Sequence, residues 1–223
     1  MDTNHILQKV KDHGFCIFDL DSETVRMIEN IDTGQLKDGF YIDNKKQIEL
    51  FSNSTTLSSV VKSSQDYIST LNYNQNSIHV SRVVEGGSKE KYRTHFDSHI
   101  LTLVVPILMP NDGPKLRGQL YLVPNLRKTP QNDVHNLITK LFAFRFRGEK
   151  NFTRVKALPG FQMFDLQVGQ AILFNGNRSL HGNIENLSKK KRITFIYHMT
   201  DPFPRGVGYW VRKIRRLIGT RAK

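Results

Sequence analysis

Apolar residues recur at helical spacing near the start of the chain, where Ile6, Leu7 and Val10 share one face of residues 4–11. Gly14 is placed to end that helix, and residues 15–20 read as a strand. Asp21 or Ser22 then has the character of a helix cap. A second helical face runs through Leu57, Val60, Val61, Tyr67, Ile68 and Leu71 and ends near Asn72. From about residue 77 the texture changes to short apolar or alternating runs at 78–84, 100–108, 119–123, 171–174 and 192–197. Gly86-Gly87, Pro110-Asn111-Asp112-Gly113 and Asn175-Gly176-Asn177 punctuate them. Many short strands between turns predict a mainly β fold with flanking helices, a sandwich or jelly roll rather than a parallel sheet. Within residues 131–157, Val134, Leu137, Ile138 and Leu141 suggest a helix, and 145–156 is a basic insertion without a clear period. There is no internal repeat and no low-complexity segment.

A chain of 223 residues is within the range of one domain, and we expect one core over residues 1–204 with a basic amphipathic tail over 205–223. The single cysteine, Cys16, lies in an apolar run and reads as a small buried hydrophobe, so neither a disulfide framework nor a cysteine zinc site can form within the chain. Asp2, Lys9, Lys11 and Asp12 precede any apolar run, and no run approaches the roughly 20 residues needed to cross a bilayer. The expected location is therefore cytoplasmic. Thirty-three Lys+Arg against 20 Asp+Glu give a formal net charge of +13, which favours an anionic partner without choosing its kind.

The sharpest local signal is His95-Phe96-Asp97, because residues two apart on an extended chain point to the same side and can offer an imidazole and a carboxylate to one ion. In isolation this pattern is compatible with a surface pair beside a turn. Here it stands between the Gly86-Gly87 turn and the strongly apolar run 100–107, where a strand can hold ligands in place. Two such groups are two-thirds of a 2-His-1-carboxylate face, which suits non-haem iron(II) and calls for a distant histidine. His181 stands out, following a strand and a turn and preceding Gly182, whose lack of a side chain permits close backbone approach. Arg192, eleven residues later, opens a strand on which Arg192, Thr194 and Ile196 share one side. An inward-facing arginine needs an anion.

Together His95, Asp97, His181, Arg192 and Thr194 resemble the iron(II)/2-oxoglutarate-dependent dioxygenase superfamily over roughly residues 77–200, and the N-terminal helix-strand pair is similar to its phytanoyl-CoA hydroxylase-like and prolyl hydroxylase-like branches. The resemblance implies a double-stranded β-helix of the jelly-roll, cupin-like kind, and iron(II) on His95, Asp97 and His181. It also implies 2-oxoglutarate and molecular oxygen as co-substrates, with the C5 carboxylate of 2-oxoglutarate on Arg192. A planar guanidinium can meet a carboxylate with two parallel hydrogen bonds, and Thr194 adds a hydroxyl donor. Arg82, Thr102 and Asn183 are further candidates to bond the oxoacid, each equally open to being satisfied elsewhere. His99 is a candidate substrate contact, whereas His79 and His198 read as sheet residues with satisfied nitrogens. In related enzymes a tyrosine often precedes the glycine turn; here Glu85 does.

Asp97 favours hydroxylation or a related oxidation over halogenation, where chloride would take the carboxylate's place. The runner-up is a non-oxidative cupin-like metal-binding module, which would have no use for Arg192. Specific nucleic-acid binding is not expected, because the second arginine usual in the demethylase branch is replaced by His198. In the tail, Trp210, Ile214, Leu217 and Ile218 fall on one helical face beside seven Lys+Arg and no acid from Arg205 onward. That composition suits an anionic membrane surface, and equally a helix packed on the sheet. The expected substrate is an anionic molecule, a glycolipid or lipid-linked sugar ahead of a small metabolite or a protein side chain.

Overall fold

The computed structural model describes residues 2–73, 75–86, 91–111, 117–204 and 206. The predicted amphipathic tail, apart from Gly206, lies outside the described residues.

Helix α1 (Thr3–His13) starts where the Asp2 carboxylate accepts the Asn4 N–H at 2.9 Å and stops at Gly14, whose φ of +86° suits glycine. Strand β1 (Phe15–Asp19) follows, then α2 (Ser22–Glu29), capped by Asp21. Next come β2 (Gly39–Ile42), α3 (Lys45–Asn53), α4 (Thr55–Thr70), β3 (Ser77–Val84), β4 (Leu101–Leu108) and β5 (Leu120–Val123). After α5 (Asp133–Ala143), a 3-10 turn at Phe144–Phe146 and α6 (Glu149–Lys156), the chain closes with β6 (Gln162–Phe164), β7 (Gln170–Asn175), β8 (Leu180–Asn183) and β9 (Arg192–Met199). The stretch 145–156, without a clear period in sequence, is thus a short turn and a helix.

Among the described residues the strands form a six-stranded antiparallel sheet in the order β1-β7-β4-β9-β3-β2 and a three-stranded antiparallel sheet in the order β6-β5-β8. Alternation assigns each face of the larger sheet. Leu101, Leu103 and Val105 of β4 and Ile193, Phe195 and Tyr197 of β9 join a core closed by Ile6 and Val10 of α1 and Leu57 and Ile68 of α4. Each such buried side chain contributes about 1.5–3 kcal/mol. The intervening residues, Thr102, Val104 and Pro106 on β4 and Arg192, Thr194, Ile196 and His198 on β9, face a cavity between the two sheets. Leu120 and Leu122 of the small sheet pack on Ile172 and Phe174 of the large one and close the space beside that cavity. The molecule is therefore mainly β with flanking helices, with the jelly-roll layering expected from the sequence.

Candidate metal and co-substrate site

His95 and His181 are held together before any ion is considered. The His95 N–H donates to the His181 carbonyl at 2.9 Å, and the His181 N–H returns the bond to the His95 carbonyl at 3.0 Å. Their rings stand 4.4 Å apart. Gly182 lets the chain pass close to Tyr121, for a Cβ there would meet the Tyr121 hydroxyl oxygen at 2.4 Å. The close approach that this glycine permits is to a protein side chain rather than to a bound group.

Asp97 is fixed from the opposite side by its N–H, which donates to the Gly176 carbonyl at 3.0 Å. Gly176 can carry no side chain, because a Cβ would meet Thr102 Oγ1 at 2.4 Å and Asp97 Oδ2 at 2.9 Å. The Thr102 hydroxyl donates to Asp97 Oδ2 at 2.6 Å. The hydroxyl hydrogen is thereby given to the carboxylate, the second of the two readings left open for it, while the side chain still lines the cavity.

The Nδ1 atoms of His95 and His181 lie 2.8 and 3.0 Å from the Arg93 and Ser179 carbonyls. Protonated Nδ1 would donate there, leaving each Nε2 as the ligand atom. His95 Nε2 is 3.4 Å from Asp97 Oδ1 and His181 Nε2 is 3.5 Å from Asp97 Oδ2. The three groups each present a donor atom, all within 4.8 Å of one another. Two imidazoles and a carboxylate on one side, with the cavity on the other, suit an octahedral divalent ion that keeps open positions.

Electrostatics are consistent with this. Burial alone would raise the Asp97 carboxyl, but the imidazoles of His181 and His198, with hydrogen bonds from His181 and His95, hold it well below the usual carboxylate range. Loss of water and the neighbouring His181 push His95 down to about 4. Burial also opposes protonation of His181, yet Asp97 overrides it and raises that imidazole. A cation bound by these groups would compete with protons for the same donor atoms.

Across the cavity, Arg192 is 4 % exposed. Its Nη1 donates to the Gly118 carbonyl, its Nε has no hydrogen-bond partner, and among the described residues no carboxylate reaches it. Burial, and then the nearby Arg82, lower its pKa from the usual arginine range to about 9. Gly118 has φ +75°, and a Cβ there would stand 3.2 Å from Arg192 Cδ. Thr194 shares this wall, as alternation requires. Arg82, paired across β3 and β9 with Thr194, also lines the cavity and donates through Nη1 to Asn183 Oδ1 at 2.9 Å. Asn183 uses its amide N–H on the Gly118 carbonyl at 3.0 Å. Both residues reach the cavity wall, and both bond to protein.

His99 is a correction. It does not line the cavity but stacks on His198 with ring centroids 4.8 Å apart. His198, read from the sequence as an ordinary sheet residue, is the one that faces inward, with Nδ1 3.6 Å from Asp97 Oδ2 and 3.1 Å from Thr102 Oγ1. Strand alternation from Arg192 carries the signal for it. Glu85, before the glycine turn, lies outside the cavity, with Oε1 3.7 Å from Lys191 Nζ.

No protein-family model and no curated protein matches the sequence. Solved structures do match in fold. A Pseudomonas putida prolyl-4-hydroxylase aligns with 92% of this chain and 100% of its own at 11% identity and TM-score 0.55. EctD from S. alaskensis with bound Fe aligns over 91% and 80% at 13% identity and TM-score 0.56. The fold is that of the iron/2-oxoglutarate oxygenases. The epimerase SnoN from nogalamycin biosynthesis, in complex with Fe3+, alpha ketoglutarate and nogalamycin RO, has this oxygenase fold too, aligning over 89% and 83% at 13% identity and TM-score 0.54. Hydroxylases and an epimerase share the scaffold, so an oxygenase fold by itself does not choose the reaction.

Proposed function

We propose that this protein is a non-haem iron(II) oxygenase that uses 2-oxoglutarate and molecular oxygen, with iron on His95, Asp97 and His181 and the C5 carboxylate of 2-oxoglutarate on Arg192. The observation that carries the reading is a single cavity holding both the open three-donor face and a buried guanidinium that no described carboxylate meets. A buried charge of that kind calls for a counter-ion. Iron(II) and 2-oxoglutarate supply the oxidising chemistry when bound, the oxoacid being the reductant that allows one atom of molecular oxygen to be directed to a second substrate.

The chain's own contribution is placement. Arg192 and Thr194 hold one end of the oxoacid, and Thr102 and the Gly176 carbonyl fix the Asp97 carboxylate. The Arg93 and Ser179 carbonyls fix the imidazole tautomers. Apolar walls from Val104, Pro106, Leu120, Phe164 and Ile196 limit water at the reacting centre.

The substrate class is an anionic molecule with an apolar body, a glycolipid or lipid-linked sugar ahead of a small metabolite or protein side chain. Support comes from those apolar walls, from the exposed Arg93 among the lining residues and from the net charge of +13.

The test is 2-oxoglutarate consumption with iron(II), screened against extracted lipids and glycans, for the natural chain and Asp97→Ala. Substrate-stimulated turnover that Asp97→Ala loses while remaining folded is the expected result. Full turnover in Asp97→Ala, or iron bound elsewhere, would overturn the site. Iron binding at these residues with no effect of 2-oxoglutarate on the metal's spectrum would leave the cupin-like module.

A further inference from the structure

Helix α5 is attached to the body of the protein by its polar side. Asn136 is buried and its Oδ1 accepts the Arg127 Nη2–H at 2.9 Å, Thr139 Oγ1 accepts from Arg127 Nη1, and Lys140 Nζ donates to Ser98 Oγ at 2.5 Å. Arg127 is anchored beneath by the Asn177 carbonyl at 2.6 Å and lies over the Phe96 ring. The opposite side is apolar and exposed: Val134 at 57 %, Ile138 at 47 %, Leu141 at 55 % and Phe142 at 59 %, with Phe144 at 44 % just beyond the helix. Positions 134, 138, 141 and 142 are one helical stripe, so this is a continuous ridge rather than scattered exposure.

The segment that carries the ridge is rich in cations. Residues 133–156 contain Lys140, Arg145, Arg147, Lys150, Arg154 and Lys156 against the acids Asp133 and Glu149. The Arg147 guanidinium lies 3.7 Å from the Phe144 ring centroid, and that of Arg145 lies 4.8 Å from Phe146. Cations are thus carried beside the exposed Phe144 ring and the half-buried Phe146 ring, an arrangement suited to a helix lying in a lipid headgroup layer. A second copy of the chain is a poor occupant, because a two-fold contact would set the same cations against themselves. The chain also passes the start of this helix again at Gly206, where a Cβ would meet Asp133 Cγ at 2.3 Å.

We infer that the exposed face of α5 and the adjoining 3-10 turn is a docking surface for an anionic lipid bilayer. Val134, Ile138, Leu141 and Phe142 enter the boundary of headgroups and acyl chains while the exposed Arg145, Lys150, Arg154 and Lys156 meet lipid phosphates. The inference is independent of the metal site.

The experiment is co-sedimentation of the full chain with vesicles of phosphatidylcholine alone or with added phosphatidylserine, at low and high salt. The natural chain is expected to bind the anionic vesicles preferentially, with binding weakened by salt. Ile138→Asp/Leu141→Asp should lower its partition coefficient roughly tenfold or more, because two large apolar groups leave the lipid. Arg145→Glu/Arg154→Glu should lose the anionic preference. Should the aspartate variant fail to fold, Leu141→Cys carrying an environment-sensitive dye gives a second reading, as native Cys16 is buried. A blue shift on anionic vesicles is expected there. Equal binding to neutral and anionic vesicles, undiminished binding by a folded aspartate variant, or an unshifted dye would overturn the proposal. A dimer abolished by the aspartate variant, without vesicle binding, would assign the ridge to self-association instead.

Discussion

Arg192 is the residue whose surroundings most constrain the chemistry, since a buried guanidinium without a carboxylate leaves a place for one. Arg192→Leu is expected to raise the 2-oxoglutarate requirement by roughly a hundredfold or more, given about 3–5 kcal/mol for breaking a buried ion pair. Iron(II) affinity should change little, so titrating metal and oxoacid separately distinguishes an anchoring role from general damage. Gly176→Ala should act on the other component: its methyl group collides with Thr102 and Asp97, and metal affinity should fall about 10–100-fold, as when a ligand loses its supporting partner. Thr102→Val should show a milder fall in the same titration. At this scale much of the site was legible, because a period of two sets His95 beside Asp97 and Arg192 beside Thr194. Alternation gives a side of the strand but no depth. It therefore could not tell that the Thr102 hydroxyl would be taken by Asp97, or that His99 would stack behind His198 away from the cavity.

At the scale of elements, Asp21 joins two helices through one carboxylate. It accepts the Thr24 N–H at 2.7 Å as the cap of α2, and it also accepts the Thr56 hydroxyl in the first turn of α4. Those bonds, Thr56 foremost, lower its pKa from 3.8 to about 2. A depressed carboxyl contributes its stability fully above the unfolded value and loses it as pH falls through the folded one. Asp21→Ala should therefore cost about 1–2 kcal/mol at pH 6 in urea unfolding, with the gap to the natural chain narrowing between pH 4 and 2. The cap was readable because Asp before a helical run has a local cause. The short strands β2, β6 and β8 were not, since three or four residues give alternation too little length to register, and their partners lie far away in sequence. Helix α5 shows a related limit. Periodicity revealed an apolar stripe, but whether a stripe faces inward depends on what lies beneath, here Arg127 and Ser98.

For the whole molecule, a net charge of +13 called for an anionic partner without locating it. The structure sets exposed apolar groups on one face of α5, followed in the chain by the exposed cations of the 3-10 turn and α6, which turns a compositional statement into a surface that vesicles can test. The layers also separate two demands: odd-numbered residues of β9 belong to the helix-backed core and even-numbered ones to the cavity. Ile196→Ala is accordingly expected to alter substrate selection more than melting temperature. The paired main-chain bonds between His95 and His181 have a kinetic consequence. They join segments far apart in the sequence, and both side chains contribute to the proposed iron site. Loading with iron(II) should act as a clasp on this junction, slowing hydrogen–deuterium exchange at those two amides while leaving the α1–α4 layer unchanged. Chelation should release it, so the metal-free protein would breathe first at the proposed iron site.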